Sequence, residues 1–279
     1  MLAGAAGLLG LAACSSGGDL GPATDGGRRR TESYGAGKRR YGEWSFPSGE
    51  PAGSRVPVVM LVHGGYWAPE FGPYLERRVA TELARRGFAV WNVDYRAADV
   101  AWPATFEDAA AALDRLRVSR YVDRLDLERV AVVGHSAGGH LALWLASRSR
   151  LPADAPGAPG PESVPVRLAV GQAPVADLVA AARQELGGSA AQDLLDGAPA
   201  DVPQRYALAS PLALLPVEDV SLLLVHGDAD DVVPLSQSEA YAAAAPGAVL
   251  RVLPGAGHFE HLDPESGALR PVYRALAAL

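Results

Sequence analysis

Three residue types able to carry out acyl transfer stand at the ends of apolar runs in this sequence: a serine between glycines, a crowded set of aspartates, and a histidine on a glycine turn. Val130 to His140 reads Val-Ala-Val-Val-Gly-His-Ser-Ala-Gly-Gly-His. The four residues Val130 to Val133 have the continuous apolar character of a strand covered on both faces. Gly134-His135-Ser136-Ala137-Gly138 fits G-x-S-x-G, and Leu141 to Ala146 continues as a helix. That strand–turn–helix context is what the motif needs in order to hold a serine hydroxyl above a sheet. The turn must be sharp enough to strain the backbone at Ser136. Side chains at Gly134 or Gly138 would then meet the neighbouring strand and helix. The helix start beside Ser136 offers free N–H groups where negative charge would develop.

A serine hydroxyl is a weak nucleophile at neutral pH unless a base takes its proton, and histidine is the natural base. The base in turn needs a carboxylate to fix its tautomer and to stabilise the imidazolium. Val220 to Val225 reads as a buried strand and runs into His226-Gly227-Asp228-Ala229-Asp230-Asp231-Val232-Val233-Pro234, so three carboxylates compete for that part. After a helix over Ser236 to Ala245, a last strand at Val249 to Leu253 ends in Pro254-Gly255-Ala256-Gly257-His258-Phe259. The chain order is therefore serine, aspartate, histidine, each just past a strand's C-terminal end, where ligands sit in open parallel sheets.

The elements that must position these residues alternate in type. Val56 to Val62 is a buried strand ending in His63-Gly64-Gly65-Tyr66-Trp67, where a glycine pair lets backbone N–H groups approach a ligand closely. Arg77 to Arg86 reads as a helix closed by Gly87, Phe88 to Tyr95 as a strand, and Phe106 to Val118 as a helix leading back to the central strand. Leu151 to Pro165 is a Pro/Gly/Ala-rich loop, Val166 to Val170 a further strand, and Arg183 to Pro216 a set of short helices lying over the strand ends. Strands alternating with helices predict an α/β fold with a mostly parallel central sheet and helices on both faces.

Composition sets limits on function. The chain has 279 residues, 49% hydrophobic, with a net charge of −7 and Lys38 as its only lysine. It can bury a large core, and it lacks the basic surface that nucleic acid requires. Cys14 is the only cysteine, which excludes an intramolecular disulfide and a cysteine-rich metal site. It follows a short apolar run and closes Leu11-Ala12-Ala13-Cys14. This resembles the lipobox of bacterial lipoproteins and implies a lipid-anchored protein of the cell envelope, on the outer face of the cytoplasmic membrane, with residues 1–14 as a signal segment. No Lys or Arg precedes the run, and without a signal function the protein would be cytoplasmic. Residues 15–40, with Ser/Gly stretches and the basic clusters Arg28-Arg29-Arg30 and Lys38-Arg39-Arg40, read as a disordered linker, leaving 41–279 as one catalytic domain.

The residues from about Tyr41 onward resemble the α/β-hydrolase superfamily. Within it, His-Gly-Gly-x-Trp at His63 to Trp67 resembles the small esterase and arylformamidase (kynurenine formamidase-like) group. Gly-His-Ser-Ala-Gly-Gly-His-Leu-Ala, from Gly134, resembles the feruloyl/acetyl-xylan esterase-like branch. The resemblance implies Ser136 as nucleophile, His258 as base and Asp230, within His-Gly-x-x-Asp-x-x-Val-Pro, as acid. Asp231 would then face solvent and Asp228 bond the loop. It implies oxyanion donors at Ala137 and the Gly64-Gly65-Tyr66 turn, and no metal or organic cofactor. Trp67 and His135 are expected to line a substrate pocket, and His63 to brace the oxyanion loop. His140 is expected in the pocket wall or packing, His226 in a structural role, His261 at the surface and Asp177 in a loop turn. The implied activity is hydrolysis of a small-molecule carboxylic ester. Arylformamidase and peptidase activities, or a non-catalytic binding module of the same fold, are the alternatives.

Overall fold

A computed structural model of the chain describes residues 30–51 and 53–279; the apolar leader, Cys14 and residues 15–29 lie outside the described residues. The strands are β1 (Arg30–Ser33), β2 (Tyr41–Ser45), β3 (Val56–Val62), β4 (Ala89–Val93), β5 (Leu125–His135), β6 (Leu168–Gln172), β7 (Ser221–Gly227) and β8 (Val249–Leu253). They form one sheet in the order β1-β2-β4-β3-β5-β6-β7-β8. From β4 to β8 every pairing is parallel, because each strand is separated from the next by a segment that crosses a face of the sheet. The β1–β2 and β2–β4 pairings are antiparallel, so β2 alone runs against the other strands.

The helices are α1 (Arg77–Arg85), α2 (Ala104–Asp114), α3 (Ala137–Ala146), α4 (Leu178–Arg183), α5 (Ala190–Leu195), α6 (Pro203–Ala209), α7 (Ser236–Ala244) and α8 (Arg270–Leu276). The pleat divides the apolar strand residues between two cores. Val58, Met60, Val62, Trp91, Val130, Val132 and Leu224 face α2 and α3, where Phe106, Leu113, Leu141 and Trp144 complete the larger cluster. Val59, Leu61, Val90, Ala131, Val133, Val170 and Val225 face α1 and α8 through Val79, Leu83, Val272 and Leu276. Burial on both faces explains why these strands read as continuous apolar runs without alternation. Truncating a fully buried side chain such as Leu83 to Ala would cost about 2–5 kcal/mol.

The expected linker is corrected at its C-terminal end. Residues 30–40 are an integral part of the sheet: β1 pairs with β2, and Glu32 is buried where it accepts hydrogen bonds from Trp44 Nε1 (3.0 Å), Ser119 Oγ (2.7 Å), Arg115 Nε (3.0 Å) and the Arg120 amide (3.2 Å). Two of the basic residues that suggested a solvated tether are held in ion pairs, Arg39 with Asp94 (2.7 Å) and Arg40 with the fully buried Asp108 (2.9 Å). Composition describes side chains one at a time, and the carboxylates that neutralise these arginines lie more than fifty residues away in sequence. Among the described residues no helix is long and apolar enough to cross a membrane.

Candidate active site

The turn after β5 has the geometry its glycines imply. Ser136 sits at φ 57°, ψ −120°, a left-handed conformation that a serine adopts only under constraint. A Cβ at Gly134 would collide with the Gly138 carbonyl, and one at Gly138 with the Val62 carbonyl of β3, so α3 packs against the strands only because both residues lack side chains. The Ser136 amide donates to the Gln172 carbonyl at the end of β6 (2.8 Å), which pins the turn to the sheet. Ala137 is the first residue of α3, so its N–H has no acceptor within the helix.

His258 and Asp230 meet across the loops that follow β8 and β7. His258 Nδ1 donates to Asp230 Oδ2 at 2.7 Å, which leaves Nε2 as the basic lone pair. Asp230 Oδ1 accepts from the Val232 (2.9 Å) and Val233 (2.8 Å) amides. Burial pushes the Asp230 carboxyl up, but the hydrogen bonds from His226, His258 and the Val233 amide outweigh it and hold the group well below the usual carboxylate range. The two rival acids lie elsewhere: Asp228 is exposed and accepts from the Gly255 amide (2.6 Å), and Asp231 is exposed. Gly227 is required as well, since a Cβ there would strike the Ala256 carbonyl in the histidine loop.

The histidine loop is tied to the nucleophile turn by His135. Its Nε2 donates to the His258 carbonyl (2.8 Å), and the two rings lie 4.5 Å apart. Burial, reinforced by the neighbouring His258 and His261, holds the His135 imidazole well below its usual value, so it stays neutral. His135 therefore acts as a strut, where the sequence suggested a pocket wall. Trp67, also expected in the pocket, is packed in the core, edge-on to His140 at 5.1 Å. His140 Nε2 donates to the Ala209 carbonyl (2.9 Å). His261, expected at the surface, is fully buried, and burial holds its imidazole down at about 4. A short loop after His258 looks exposed in sequence, yet the 3₁₀ turn Glu260–Leu262 folds inward under His135, with ring centroids 5.8 Å apart. Asp177 caps α4, accepting from the Val179 and Ala180 amides.

The loop after β3 lies over this turn. Gly65, Tyr66 and Trp67 have φ of 107°, 54° and 56°, three consecutive left-handed residues that turn the backbone sharply. A Cβ on Gly64 would approach Ser136 Cβ to 3.0 Å, so the loop backbone lies against the nucleophile. His63 braces it from behind, donating from Nδ1 to the Gly64 carbonyl (2.8 Å) while stacked on Tyr95 at 4.3 Å. Tyr66 lines a cavity of about 340 Å³ with Phe71, Ala98, Gly187 and Ala190. A larger cavity of about 740 Å³, bordered by Val179, Arg183, Tyr206 and Leu212, is lined by none of Ser136, Asp230 and His258.

Sequence reasoning missed His226 as a partner of the acid. It is buried with Nε2 3.3 Å from Asp230 Oδ2 and 2.9 Å from the Val233 carbonyl, and Nδ1 accepts from Ser238 Oγ (2.7 Å). Its position four residues before Asp230 was the available signal.

The family model described as BD-FAE matches residues 47–244, a span that includes Ser136 and Asp230. The chain belongs to the BD-FAE family. Among characterised proteins it is similar to Esterase LipQ of Mycobacterium tuberculosis, with 29% identity over 209 residues, covering 72% of this chain and 48% of LipQ; the BD-FAE chain thus spans about half of that relative's length. Solved structures with the same fold include Esterase B from Lactobacillus rhamnosis (TM-score 0.72, 21% identity, 90% of this chain and 86% of that one). A truncated carbohydrate esterase from gut microbiota is likewise similar (TM-score 0.72, 20% identity, 89% and 95% coverage). The BD-FAE chain has the α/β-hydrolase fold.

Proposed function

We propose that the protein is a serine hydrolase that cleaves carboxylic esters of small or acyl-decorated substrates through an acyl-enzyme. The observation that carries this reading is Ser136 at φ 57° on the β5–α3 turn, with the Asp230–His258 pair at 2.7 Å on the loop that His135 ties to that turn. His258 takes the Ser136 proton as the oxygen attacks the ester carbonyl, and the Ala137 amide with the Gly64-Gly65-Tyr66 backbone receives the oxyanion. His258 then protonates the leaving alcohol, and water activated by the same imidazole releases the acid and regenerates Ser136. The similarity to LipQ, an esterase, supports this reading. The test compares p-nitrophenyl acetate and butyrate with N-formylkynurenine, in the wild type and in Ser136→Ala. Ester turnover that disappears in the variant is the expected result, and preferential deformylation would replace the reading by arylformamidase.

We also propose that Cys14 carries a lipid anchor that holds the protein at the outer face of the cytoplasmic membrane. The Leu-Ala-Ala-Cys run after an apolar segment and the Ser/Gly stretch that follows support it. Cys14→Ser should move the protein from the membrane to the soluble fraction and abolish incorporation of a fatty-acid label. Unlabelled wild-type protein in the soluble fraction would point to the cytoplasm.

A further inference from the structure

Arg39, in the turn between β1 and β2, reaches across to the loop that follows β3. Its Nη1 donates to the Pro69 carbonyl (2.6 Å) and its Nη2 to the Phe71 carbonyl (2.6 Å), while Nε (3.2 Å) and Nη2 (2.7 Å) both reach Asp94 Oδ1. A planar guanidinium can serve these acceptors from one fixed orientation, which a lysine ammonium cannot. From this fork two routes lead to the backbone against Ser136. On one side, Asp94 Oδ1 also accepts from the Tyr95 amide (2.9 Å), and His63, whose ring stacks on Tyr95 at 4.3 Å, donates from Nδ1 to the Gly64 carbonyl. Tyr95 closes the same route, donating from its hydroxyl to the His63 carbonyl (2.9 Å). On the other side, the ring of Phe71, whose carbonyl Arg39 holds, fills the space where a Cβ of Gly65 would stand.

We propose that Arg39 is a positioning residue for the oxyanion hole: its guanidinium fixes Gly64 through Asp94, Tyr95 and His63, and Gly65 through Phe71. The inference rests on the serine-hydrolase reading and adds to it the requirement that the β1–β2 hairpin belong to the catalytic body. Donors that stabilise an oxyanion act through their fixed aim, so loosening them lowers the rate of the chemical step more than it weakens binding of the substrate.

The test measures kcat and KM for p-nitrophenyl acetate, the Ki of an aryl trifluoromethyl ketone, which forms a tetrahedral oxyanion adduct, and the melting temperature. Wild type, Ser136→Ala, Arg39→Ala and Arg115→Ala are compared. Arg115 anchors the same hairpin at Glu32 (2.9 Å), and among the described residues its hydrogen bonds and ion pairs go there and not to the loop after β3, so its removal loosens the hairpin alone. Arg39→Ala should lower kcat about tenfold or more with KM within about twofold, and raise the Ki by a factor similar to the fall in kcat/KM. Arg115→Ala should lower the melting temperature and leave kcat within about twofold. The proposal is overturned by unchanged kcat in Arg39→Ala, by a loss of kcat with no change in Ki, or by equal losses of kcat in both arginine variants. If wild type and Ser136→Ala both fail to hydrolyse the ester, the functional reading falls and the positioning role falls with it.

Discussion

His226 and His258 share one oxygen of Asp230: Nε2 of the first lies 3.3 Å, and Nδ1 of the second 2.7 Å, from Oδ2. The candidate acid is thus held between two imidazoles, one of which faces the nucleophile turn and one of which is locked by Ser238 and the Val233 carbonyl. With the Val232 and Val233 amides on Oδ1, the carboxylate has little freedom to rotate away from His258.

Because both histidines act through the same carboxylate, their effects should not add. Asp230→Asn should lower kcat roughly 10³–10⁴-fold by spoiling the tautomer of His258. His226→Leu should lower it about tenfold, by freeing Asp230. In the Asp230→Asn background His226→Leu should cost almost nothing more in kcat. Full additivity in this double-mutant cycle would show that His226 does not work through Asp230.

The buried histidines make stability depend on pH on the acid side. Burial holds His140 and His261 at about 4 and His135 well below its usual value, so the unfolded chain binds protons that the folded one does not between about pH 4 and 6.5. Stability should therefore fall as pH drops from 6.5 to 4, by about 3 kcal/mol for each of His140 and His261. Urea unfolding across this range should show the slope, and His140→Leu should make it shallower. A flat profile would contradict the neutral, desolvated state of these rings.

Glu76 acts with the opposite sign. Its carboxyl is fully buried and its two oxygens have no hydrogen-bond partner among the described residues; burial pushes it up to about 8. A group raised in the folded state contributes its stability fully below about pH 4.5 and loses it as pH rises to about 8. The loss is on the order of 5 kcal/mol. It offsets one histidine between pH 4.5 and 6.5 and is unopposed above that, so stability should peak near pH 6.5. Glu76→Gln should remove the decline between pH 6.5 and 8, and an unchanged alkaline limb in that variant would rule the group out as its source.

Strain at the nucleophile should be measurable as stability. At φ 57°, ψ −120° glycine relaxes and serine does not, so Ser136→Gly should stabilise the fold by about 1–2 kcal/mol while abolishing turnover. For a chain of this size that is a rise in melting temperature of about 2–8 °C. An inactive variant that melts at or below the wild-type temperature would show that the turn stores no strain.

The parallel sheet and the three candidate residues at its strand ends are legible in the order of residues alone. Local signals carry both: residues 58–62, 130–133, 168–170 and 222–225 of β3, β5, β6 and β7 are apolar because both faces are covered, and the glycines at 134 and 138 are needed by contacts within their own strand–turn–helix unit or the strand beside it. Asp230 could be chosen from three aspartates only by its place in a motif; the structure separates them by burying one and exposing the other two. The remaining features depend on partners distant in sequence. Whether His261 is buried, whether Trp67 faces a ligand or the core, and whether residues 30–40 are tether or scaffold all turn on contacts with other elements. A basic turn such as Lys38-Arg39-Arg40 has the composition of a solvated segment until Asp94, Asp108 and two loop carbonyls are brought beside it. The pairing of opposite charges across a fold is set by where the strands cross, and no local pattern records it.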